Sequence, residues 1–312
     1  MKIVILDRKT LGFDVDVSIF DKFGDVISYD VTNENETQVR VKDTDIVITN
    51  KVLITKEIID NSNLKLICIS ATGKNNVDLI AAEQKGIVVK NVAGYSSSSV
   101  VQVSFAMIFH FIQKLNYYKS YVDKGKWQKA DTFTHIDKPF FELDNKRVGI
   151  IGLGDIGMNL AKKANAFDCD VVYYSTSGKN SNSEFKRVEL NELLKTSDII
   201  SIHCPLNEQT ENLLNYKNMK NIKDGAILLN LGRGGIINEL DLSILIDEKE
   251  IYCGIDVVSK EPIEESNPLL SVKNINRLLL TPHIGWASIE ARTRLIKMVA
   301  GNIEEFMKKE NL

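Results

Sequence analysis

The stretch Arg147-Val-Gly-Ile-Ile-Gly-Leu-Gly-Asp-Ile-Gly157 decides the fold of this 312-residue chain. Its apolar run Val148–Ile151 has the composition of a buried parallel strand and leads directly into closely spaced glycines. A helical pattern follows, in which apolar residues recur at spacings of four, four and three, namely Ile156, Leu160, Ala164 and Phe167. A strand, a glycine-rich turn and an amphipathic helix in this order predict a crossover unit of a parallel α/β sheet.

The three glycines of the turn each have a physical task. Gly152 permits the tight turn, Gly154 lets the backbone approach a pyrophosphate, and Gly157 lets the helix pack close to the strand. An anion would then lie on free backbone N–H groups at the positive end of the helix dipole. Because the strand and the helix that this motif requires are both present, we predict a dinucleotide site rather than a glycine turn without a ligand.

The composition excludes several other classes of protein. A hydrophobic fraction of 44% and a charged fraction of 26% are typical of globular chains, and the length allows two domains. The net charge of −3 and the mixing of acidic and basic residues indicate neither a nucleic-acid nor a membrane partner. No apolar stretch approaches the roughly 20 residues that span a bilayer, and the N-terminal apolar run is too short for a signal peptide.

The four cysteines lie far apart, without spacing typical of metal ligands, at Cys68, Cys169, Cys204 and Cys253. We therefore expect reduced, packed thiols in a cytoplasmic protein, with no disulfide and no metal.

Short strands and helices alternate along the chain. Predicted strands are Ile3–Leu6, Ile46–Thr49, Leu66–Ser70, Val88–Asn91, Val171–Tyr174, Ile199–His203, Ala226–Asn230, Ile251–Asp256 and Leu278–Thr281. Helices are predicted near Thr55–Asn61 and Asp78–Lys85, where Gly86 is placed to end the second helix. A last helix should bury one face formed by Ile289, Ile296, Val299, Ile303 and Phe306.

Two segments leave alternatives open. The serines Ser96–Ser99 are either a flexible linker or the start of a long helix, because Val101, Phe105, Ile108, Ile112 and Leu115 follow at helical spacing. The segment from Tyr117 to Asn145 is polar with weak periodicity. It is either an arm that reaches a partner subunit or a surface excursion.

The predicted fold is α/β, with two Rossmann-like domains that have parallel sheets and a deep cleft between them. We expect the last helix to return to the first domain and make it discontinuous. The predicted bounds are 1–98 with 287–312 for a substrate-binding domain, and 99–286 for a dinucleotide-binding domain.

The second ribose of the cofactor would meet the residues after Tyr174. A NAD site usually places Asp or Glu here to bind the ribose hydroxyls, but this chain has Ser175, Thr176 and Lys179. These hydroxyls and the lysine could accept a 2′-phosphate, unless Lys179 is merely a solvated loop residue. The cofactor is therefore NAD or NADP.

Three residues just past strand ends could carry chemistry: Arg233, Glu261 and His283. Ligands of open α/β sheets bind at these strand ends. A guanidinium can hold the carboxylate and carbonyl oxygens of a 2-oxo acid, and an imidazole can deliver a proton near neutral pH. A carboxylate beside the imidazole favours its protonated form. Each residue alone could be an ordinary loop residue, but together they fit reduction of a 2-oxo acid.

At these residues the chain resembles the D-isomer-specific 2-hydroxyacid dehydrogenase family along nearly its whole length. The resemblance rests on the glycine turn, on His203-Cys-Pro-Leu with Thr210 following, and on the contexts of Arg233, Glu261 and His283. It implies that these three residues are the catalytic arginine, glutamate and histidine. It also implies cofactor contacts at Gly154, Asp155, Ile156, Pro205, Thr210 and Asp256, the last at the nicotinamide amide, and we include His203 with this set.

The resemblance further implies a loop of the first domain whose backbone holds the substrate carboxylate, at Thr72, Gly73 and Lys74. Lys51 is the one other basic candidate there. Trp286 either walls a small substrate pocket or is a core residue. A homodimer is implied as well.

Within the family the chain is most similar to the glycerate dehydrogenase or hydroxypyruvate reductase branch, through Gly94-Tyr-Ser96, Ser99-Val-Val-Gln102 and Pro282-His-Ile-Gly-Trp-Ala-Ser288. The expected function is therefore an NAD(P)-dependent oxidoreductase that transfers hydride to C2 of a small 2-oxo acid. The alternatives are a D-lactate-type or branched-chain 2-oxo acid reductase, or a non-enzymatic protein that senses NAD(H).

Overall fold

The structure, a computed structural model, describes residues 1–310 of the chain. The chain forms two compact units. The first comprises Met1–Ser96 and the C-terminal segment that begins at Trp286, and the second comprises Ser97–Gly285. Every strand pairing in both sheets is parallel, which confirms the prediction of two parallel-sheet α/β units. Over the described residues, none of the helices combines the length and the apolar character that a bilayer crossing needs.

The first unit contains a five-stranded sheet of order β2-β1-β3-β4-β5. Its strands are β1 (Lys2–Ile5), β2 (Asp25–Ser28), β3 (Ile46–Thr49), β4 (Leu66–Ile69) and β5 (Val88–Lys90). β3 and β4 are buried throughout, as their continuous apolar runs predict. The sequence does not predict β2, because this edge strand exposes Asp25, Ile27 and Ser28 and lacks an apolar pattern.

Helices of the first unit are α1 (Glu34–Val41), α2 (Lys56–Asp60) and α3 (Leu79–Gln84). The two predicted helices begin where polar side chains cap them. The Thr55 side chain accepts a hydrogen bond from the Ile58 N–H, and the Asp78 side chain accepts one from Ala81. Gly86, with a φ of 72°, follows α3 in the left-handed conformation that its predicted role requires.

The second unit contains a seven-stranded sheet of order β12-β11-β10-β9-β6-β7-β8. Its strands are β6 (Arg147–Ile151), β7 (Asp170–Tyr174), β8 (Lys186–Arg187), β9 (Ile199–Ile202), β10 (Ile227–Asn230), β11 (Tyr252–Ile255) and β12 (Leu278–Leu280). The strand order reverses beside β6, from which the glycine turn emerges. A sheet of this kind binds ligands at the carboxyl ends of its strands, where the order reverses.

Helices of the second unit are α4 (Ser97–Gln113), α5 (Leu115–Asp123), α6 (Asp155–Asn165), α7 (Leu190–Thr196), α8 (Tyr216–Met219) and α9 (Glu239–Glu248). Because α4 begins at Ser97, the serines start a helix and are not a linker. The helix ends at Gln113, since Lys114 adopts a left-handed φ of 52°. The prediction that Leu115 lies on the buried face of this helix is wrong: it lies in α5 and is exposed.

The segment after α4 is more ordered than its sequence predicts. α5 presents three tyrosines around the His135 ring, which stacks on Tyr121 with the ring centroids 3.7 Å apart and accepts or donates a 2.9 Å hydrogen bond with Tyr117. Aromatic contacts between residues far apart in sequence, rather than a periodic apolar face, hold this segment together.

The predicted apolar face of α6 is correct at Leu160 and Ala164, which are buried. It is wrong at Phe167, because α6 ends at Asn165 and Phe167 remains half exposed beyond it. The Phe167 ring instead lies against Phe105 and Phe109 of α4, with centroids 5.5 and 5.7 Å away.

The last helix, α10 (Ile289–Lys309), belongs to the first unit and begins at Ser288, whose side chain accepts a hydrogen bond from the Ala291 N–H. Four of the five residues predicted on its buried face are buried against the sheet of the first unit: Ile296, Val299, Ile303 and Phe306. Ile289 is exposed, contrary to prediction, because the packed face begins only at Ala291.

Candidate active site

In the turn after β6, the three glycines differ in what a Cβ atom at each position would contact. Gly152 has a φ of 93°, and a Cβ added there would lie 2.8 Å from the Cys204 nitrogen. A Cβ on Gly157 would lie 2.2 Å from the Gly152 carbonyl oxygen, so the helix packs against the turn. A Cβ on Gly154 would meet no heavy atom within 4 Å among the described residues. Packing therefore explains Gly152 and Gly157, whereas open space beside Gly154 is what a bound pyrophosphate needs.

The helix that follows the turn presents its N-terminus to this open space. α6 begins at Asp155, with Gly154 as the residue before it. The Asp155 carboxylate accepts a hydrogen bond from the Ser97 hydroxyl and therefore connects the starts of α6 and α4. The positive end of an α6 dipole of three turns is thus fixed at the predicted anion site.

The loop after β7 is tied to the glycine turn. The Asn180 side chain donates to the Leu153 carbonyl at 2.6 Å, and the Asn180 N–H donates to the Ser175 hydroxyl at 3.3 Å. On its other side, Arg187 Nη1 donates to the Gly178 carbonyl at 2.8 Å. Arg187 lies in β8 opposite Tyr173 of β7. Sequence reasoning misses Arg187 because a two-residue polar strand has no apolar signature.

Thr210 holds the loop after β9 in place. The Thr210 hydroxyl donates to the Pro205 carbonyl at 2.6 Å and accepts from the Asn207 N–H at 2.8 Å. His203, at the start of this loop, makes a 2.8 Å hydrogen bond between Nε2 and the Ser201 hydroxyl. Its Nδ1 is buried and has no partner within residues 1–310. Burial lowers the pKa of His203 from 6.5 to about 4.

This buried imidazole predicts a loss of stability in mild acid. Below the ordinary pKa of 6.5 the unfolded chain binds a proton at His203 that the folded chain excludes down to about pH 4. The free energy of unfolding should therefore fall as the pH drops through this window, by about 2 kcal/mol from this group at pH 4.5. Urea unfolding of the cofactor-free protein at pH 6.5 and 4.5, compared with His203→Gln, measures it. An equal loss in both proteins would contradict the assignment.

The three candidate catalytic residues follow three adjacent strands of the second sheet. Arg233 follows β10, Glu261 follows β11 and His283 follows β12. Because these strands are parallel, their carboxyl ends lie at the same edge of the sheet. His283 Nδ1 lies 2.7 Å from Glu261 Oε2, so the carboxylate fixes the ring through Nδ1 and leaves Nε2 for a ligand.

The buried carboxylate of Asp256 supports the loop that carries His283. It accepts hydrogen bonds from the Thr281 hydroxyl at 2.5 Å and from the N–H groups of Ile284 and Gly285 at 2.8 and 2.7 Å. The Asp256 carbonyl accepts from the His283 N–H at 2.9 Å. His283 itself has a φ of 55°, a left-handed conformation that costs energy in a residue with a side chain. This network compensates for that cost and fixes the imidazole.

Arg233 lies in a loop whose backbone is closely confined. The Asn230 side chain donates to the Arg233 carbonyl at 2.8 Å and accepts from the Gly232 N–H at 3.1 Å. A Cβ on Gly234 would lie 2.0 Å from the backbone of Val258. The Arg233 side chain is exposed and forms no ion pair in the described part of the chain. Its Nη1 donates to the Gly232 carbonyl at 2.8 Å, which leaves the other N–H donors of the guanidinium available to an anion.

The predicted substrate residues lie in the first unit. Thr72 is held in the loop after β4, where its hydroxyl donates to the Val92 carbonyl at 3.1 Å. The Lys51 N–H donates to the Asp7 carboxylate at 2.8 Å, as does Asn50 at 3.0 Å. Burial raises the pKa of Asp7, and these backbone donors oppose that shift. Gly73 and Lys74 follow Thr72 directly, and the ring of Trp286 meets Tyr95 edge-on at 6.2 Å.

All four cysteines are free and buried, and burial raises the thiol pKa of Cys68 to about 12 and that of Cys204 to about 11. Among the described residues, no group of three or more His, Cys, Asp or Glu side chains is placed to hold a metal ion.

Known proteins similar to this chain belong to one family of dehydrogenases or share its fold. The family model described as D-isomer specific 2-hydroxyacid dehydrogenase, NAD binding domain, matches residues 105–285. A hydroxypyruvate reductase of Blautia hydrogenotrophica is 40% identical, over 99% of this chain and 97% of its own length. A glycerate dehydrogenase of Methylorubrum extorquens is 32% identical, over 98% and 96%. The solved structure of an acyclic imino acid reductase with NADPH and D-Arg has a TM-score of 0.85 at 31% identity, over 99% and 98%.

Proposed function

Because the chain belongs to the D-isomer specific 2-hydroxyacid dehydrogenase family, we propose that it reduces hydroxypyruvate, or a 2-oxo acid of similar size, to the D-2-hydroxy acid. The observation that carries this proposal is the 2.7 Å contact between His283 and Glu261, at the sheet edge where Arg233 also lies. An imidazole oriented by a carboxylate, at the same sheet edge as an exposed guanidinium, is the set of groups that reduction of a 2-oxo acid requires.

Each of the three residues has a distinct role in the proposed reaction. Arg233 binds the substrate carboxylate and the C2 oxygen with two N–H donors. His283 donates a proton from Nε2 to that oxygen as negative charge develops on it. Glu261 keeps the imidazole oriented through Nδ1 and places a negative charge beside the ring. In the reverse direction His283 accepts the proton of the hydroxy acid.

The residues of the second unit fit a nicotinamide dinucleotide. The open space beside Gly154 and the N-terminus of α6 suit a pyrophosphate, and the unpartnered Nδ1 of His203 offers a hydrogen-bonding atom. When bound, the nicotinamide supplies the hydride for C2. We propose that the residues that hold it are Gly152, Gly154, Asp155, Ile156, Gly157, Ser175, Thr176, Lys179, His203, Pro205, Thr210 and Asp256.

The first unit would supply the rest of the substrate site. We infer that the backbone of Thr72, Gly73 and Lys74 binds the substrate carboxylate, with Lys51 and Trp286 as further contacts. The second unit, Ser97–Gly285, is then the dinucleotide-binding domain, and the first unit is the substrate-binding domain. The hydrogen bonds of Thr72 and of the Lys51 backbone support a loop structure that exists before substrate binds.

Hydroxypyruvate is proposed because relatives at 40% and 32% identity are named hydroxypyruvate reductase and glycerate dehydrogenase. A D-lactate-type or branched-chain 2-oxo acid reductase is the alternative within the family. Family membership and the intact Arg233, Glu261 and His283 set favour an enzyme over a non-enzymatic NAD(H) sensor.

We also propose a homodimer, formed through the segment from α5 to Asn145. This segment exposes several large apolar side chains to solvent, and Phe133 is 90% exposed. They are Leu115, Val122, Trp127, Phe133, Ile136, Phe140 and Phe141. Light scattering gives the mass in solution, and a monomer at micromolar concentration would contradict this.

The four buried thiols support a cytoplasmic location, where reduced cysteines persist.

The experiment that tests the function is the loss of nicotinamide absorbance with purified protein and hydroxypyruvate, glyoxylate, pyruvate or a branched 2-oxo acid. We expect the highest kcat/KM with hydroxypyruvate, and chiral analysis should show D-glycerate as the product. A preference for the branched acid would move the assignment to the alternative branch. No turnover with any of the four acids would overturn the proposed function.

A further inference from the structure

We propose that the cofactor this chain prefers is NADPH, and that Arg187 of β8, together with Lys179, binds its 2′-phosphate. The inference deepens the proposed function and rests on it only in requiring that the second unit bind a nicotinamide dinucleotide. Arg187 lies outside the glycine motif from which the dinucleotide site is predicted.

The position of Arg187 carries the argument. β8 pairs with β7 in parallel, and Arg187 lies opposite Tyr173, two residues before the loop that begins at Ser175. Arg187 Nη1 donates to the Gly178 carbonyl at 2.8 Å, so the guanidinium lies against this loop. In a dinucleotide-binding sheet, the residues at this strand end meet the ribose of the adenosine, whose 2′ position distinguishes NADP from NAD.

The charges around this loop favour an additional phosphate. Residues 175–183 contain no Asp or Glu, so no carboxylate follows β7 directly, where a NAD site usually has one to bind the ribose hydroxyls. The first acidic residue of the loop is Glu184, two residues before β8. Lys179 and Arg187 are exposed, and neither forms an ion pair with any residue that the structure describes. The adjacent Lys186, in contrast, is paired with Glu192 at 3.7 Å. Two uncompensated cations at one loop are suited to bind an anion.

A purely structural role for Arg187 would use only part of its side chain. The contact with Gly178 occupies one N–H of a guanidinium that has five. The remaining donors keep the planar geometry that binds phosphate oxygens in pairs. Because one hydrogen bond already orients the side chain, less rotamer freedom is lost when a phosphate binds.

The loop is also held in place before the cofactor arrives. Gly178 has a φ of 70°, and Asn180 ties the loop to the Leu153 carbonyl of the glycine turn at 2.6 Å. The two places where phosphates would bind, the turn and this loop, therefore belong to one hydrogen-bonded frame. Such an arrangement lets the pyrophosphate and the 2′-phosphate contacts reinforce each other.

Binding measurements without substrate test the proposal. Quenching of protein fluorescence should show that the parent protein binds NADPH roughly tenfold or more tightly than NADH, a preference that weakens as salt is raised. Arg187→Ala should lose that preference by weakening NADPH binding roughly tenfold or more while leaving NADH binding unchanged. Lys179→Ala should weaken NADPH binding less, because a lysine binds phosphate as a point charge.

Lys186→Ala is the matched control, since it removes a neighbouring cation whose side chain points to the opposite side of the strand. It should bind both cofactors as the parent does. Because Arg187→Ala also removes the Gly178 contact, Lys179→Ala tests the effect of charge with that contact left intact. Arg187→Lys keeps the charge but not the planar guanidinium, so it should retain part of the preference for NADPH.

The outcomes separate this proposal from the proposed function. Equal affinity of the parent for both cofactors, a preference for NADH, or equal weakening of both cofactors in Arg187→Ala would overturn the role of Arg187. Turnover of 2-oxo acids with NADH as the better cofactor would overturn it as well, yet leave the proposed reaction standing. Tight NADPH binding without turnover of any 2-oxo acid would support this inference and sink the proposed reaction.

Discussion

Replacement of His283 by alanine is expected to lower kcat for 2-oxo acid reduction by about 10³-fold and to change the affinity for the nicotinamide cofactor little. The variant would lack the proposed proton donor to the C2 oxygen, and a positioned proton donor contributes roughly 10²- to 10⁴-fold to such a step. The glycine turn that we propose to hold the cofactor follows β6, whereas His283 follows β12, so the loss should fall on kcat. Steady-state kinetics and cofactor titration of the same preparation measure both effects.

The left-handed backbone at His283 requires a careful control. Its φ of 55° is strained for alanine, so a loss of activity could reflect a displaced loop. His283→Asn avoids this ambiguity, because asparagine tolerates that conformation but cannot donate a proton as imidazolium does. We expect both variants to be inactive and similarly folded by circular dichroism. If either kept a kcat within tenfold of the parent, His283 would not be the acid.

Glu261→Gln makes the role of the carboxylate measurable. The amide keeps an oxygen that can accept a hydrogen bond from Nδ1 but removes the negative charge beside the ring. Because that charge lies against the group that we propose as proton donor, kcat for reduction should fall roughly tenfold, while KM for the 2-oxo acid and the affinity for the cofactor stay near the parent values. An unchanged kcat would show that Glu261 supplies only the orientation of the ring.

Gly157→Ala should mainly lower the stability of the protein, whereas Gly154→Ala should mainly weaken cofactor binding. A Cβ at position 157 would lie 2.2 Å from the Gly152 carbonyl, and backbone cannot move away as a flexible side chain can. Gly157→Ala should lower the free energy of unfolding by about 3 kcal/mol. A Cβ at position 154 meets nothing within 4 Å in the chain as described, so Gly154→Ala should cost less than about 1 kcal/mol.

Of these two substitutions, Gly154→Ala has the smaller expected effect on stability but a large expected effect on cofactor affinity. The Cβ of Gly154→Ala would occupy the space in which a pyrophosphate approaches the backbone, so this stable variant should bind NADPH and NADH roughly tenfold or more weakly. Urea unfolding without cofactor and fluorescence titration with cofactor separate the two effects. Tight cofactor binding by a folded Gly154→Ala protein would refute the pyrophosphate assignment.

Sequence patterns predict the interior of this fold better than its edges. Central strands such as β3 and β4 are continuous apolar runs because both faces are buried, and this makes them readable. β2 and β8 lie at the edges of their sheets, where polar residues are tolerated, and they carry no apolar run. The other two edge strands, β5 and β12, keep apolar runs and are predicted. Because β8 carries no such run, sequence patterns do not reveal Arg187.

The chemistry could be predicted at the level of residue types, not of contacts. Arg233, Glu261 and His283 are visible because each follows an apolar strand, yet the 2.7 Å pair of His283 and Glu261 depends on loops of irregular conformation. The network around Asp256 involves an aspartate whose sequence context shows only that it ends a strand. Hydrogen bonds between a side chain and a distant backbone leave no periodic signal.

The first unit is formed by two parts of the chain that are far apart in sequence, so its core is completed late in synthesis. Its core includes Leu295, Val299 and Ile303 of α10, which the ribosome adds only after all of Ser97–Gly285. Until then, Phe20 and Phe23 are among the few side chains that cover the face of the five-stranded sheet on which α10 packs, and the part that α10 will cover stays exposed. Apolar surface exposed during synthesis favours aggregation and is what chaperones bind. The second unit is contiguous and can fold while translation continues. Completion of the first unit therefore depends on α10, which is synthesised after the whole second unit.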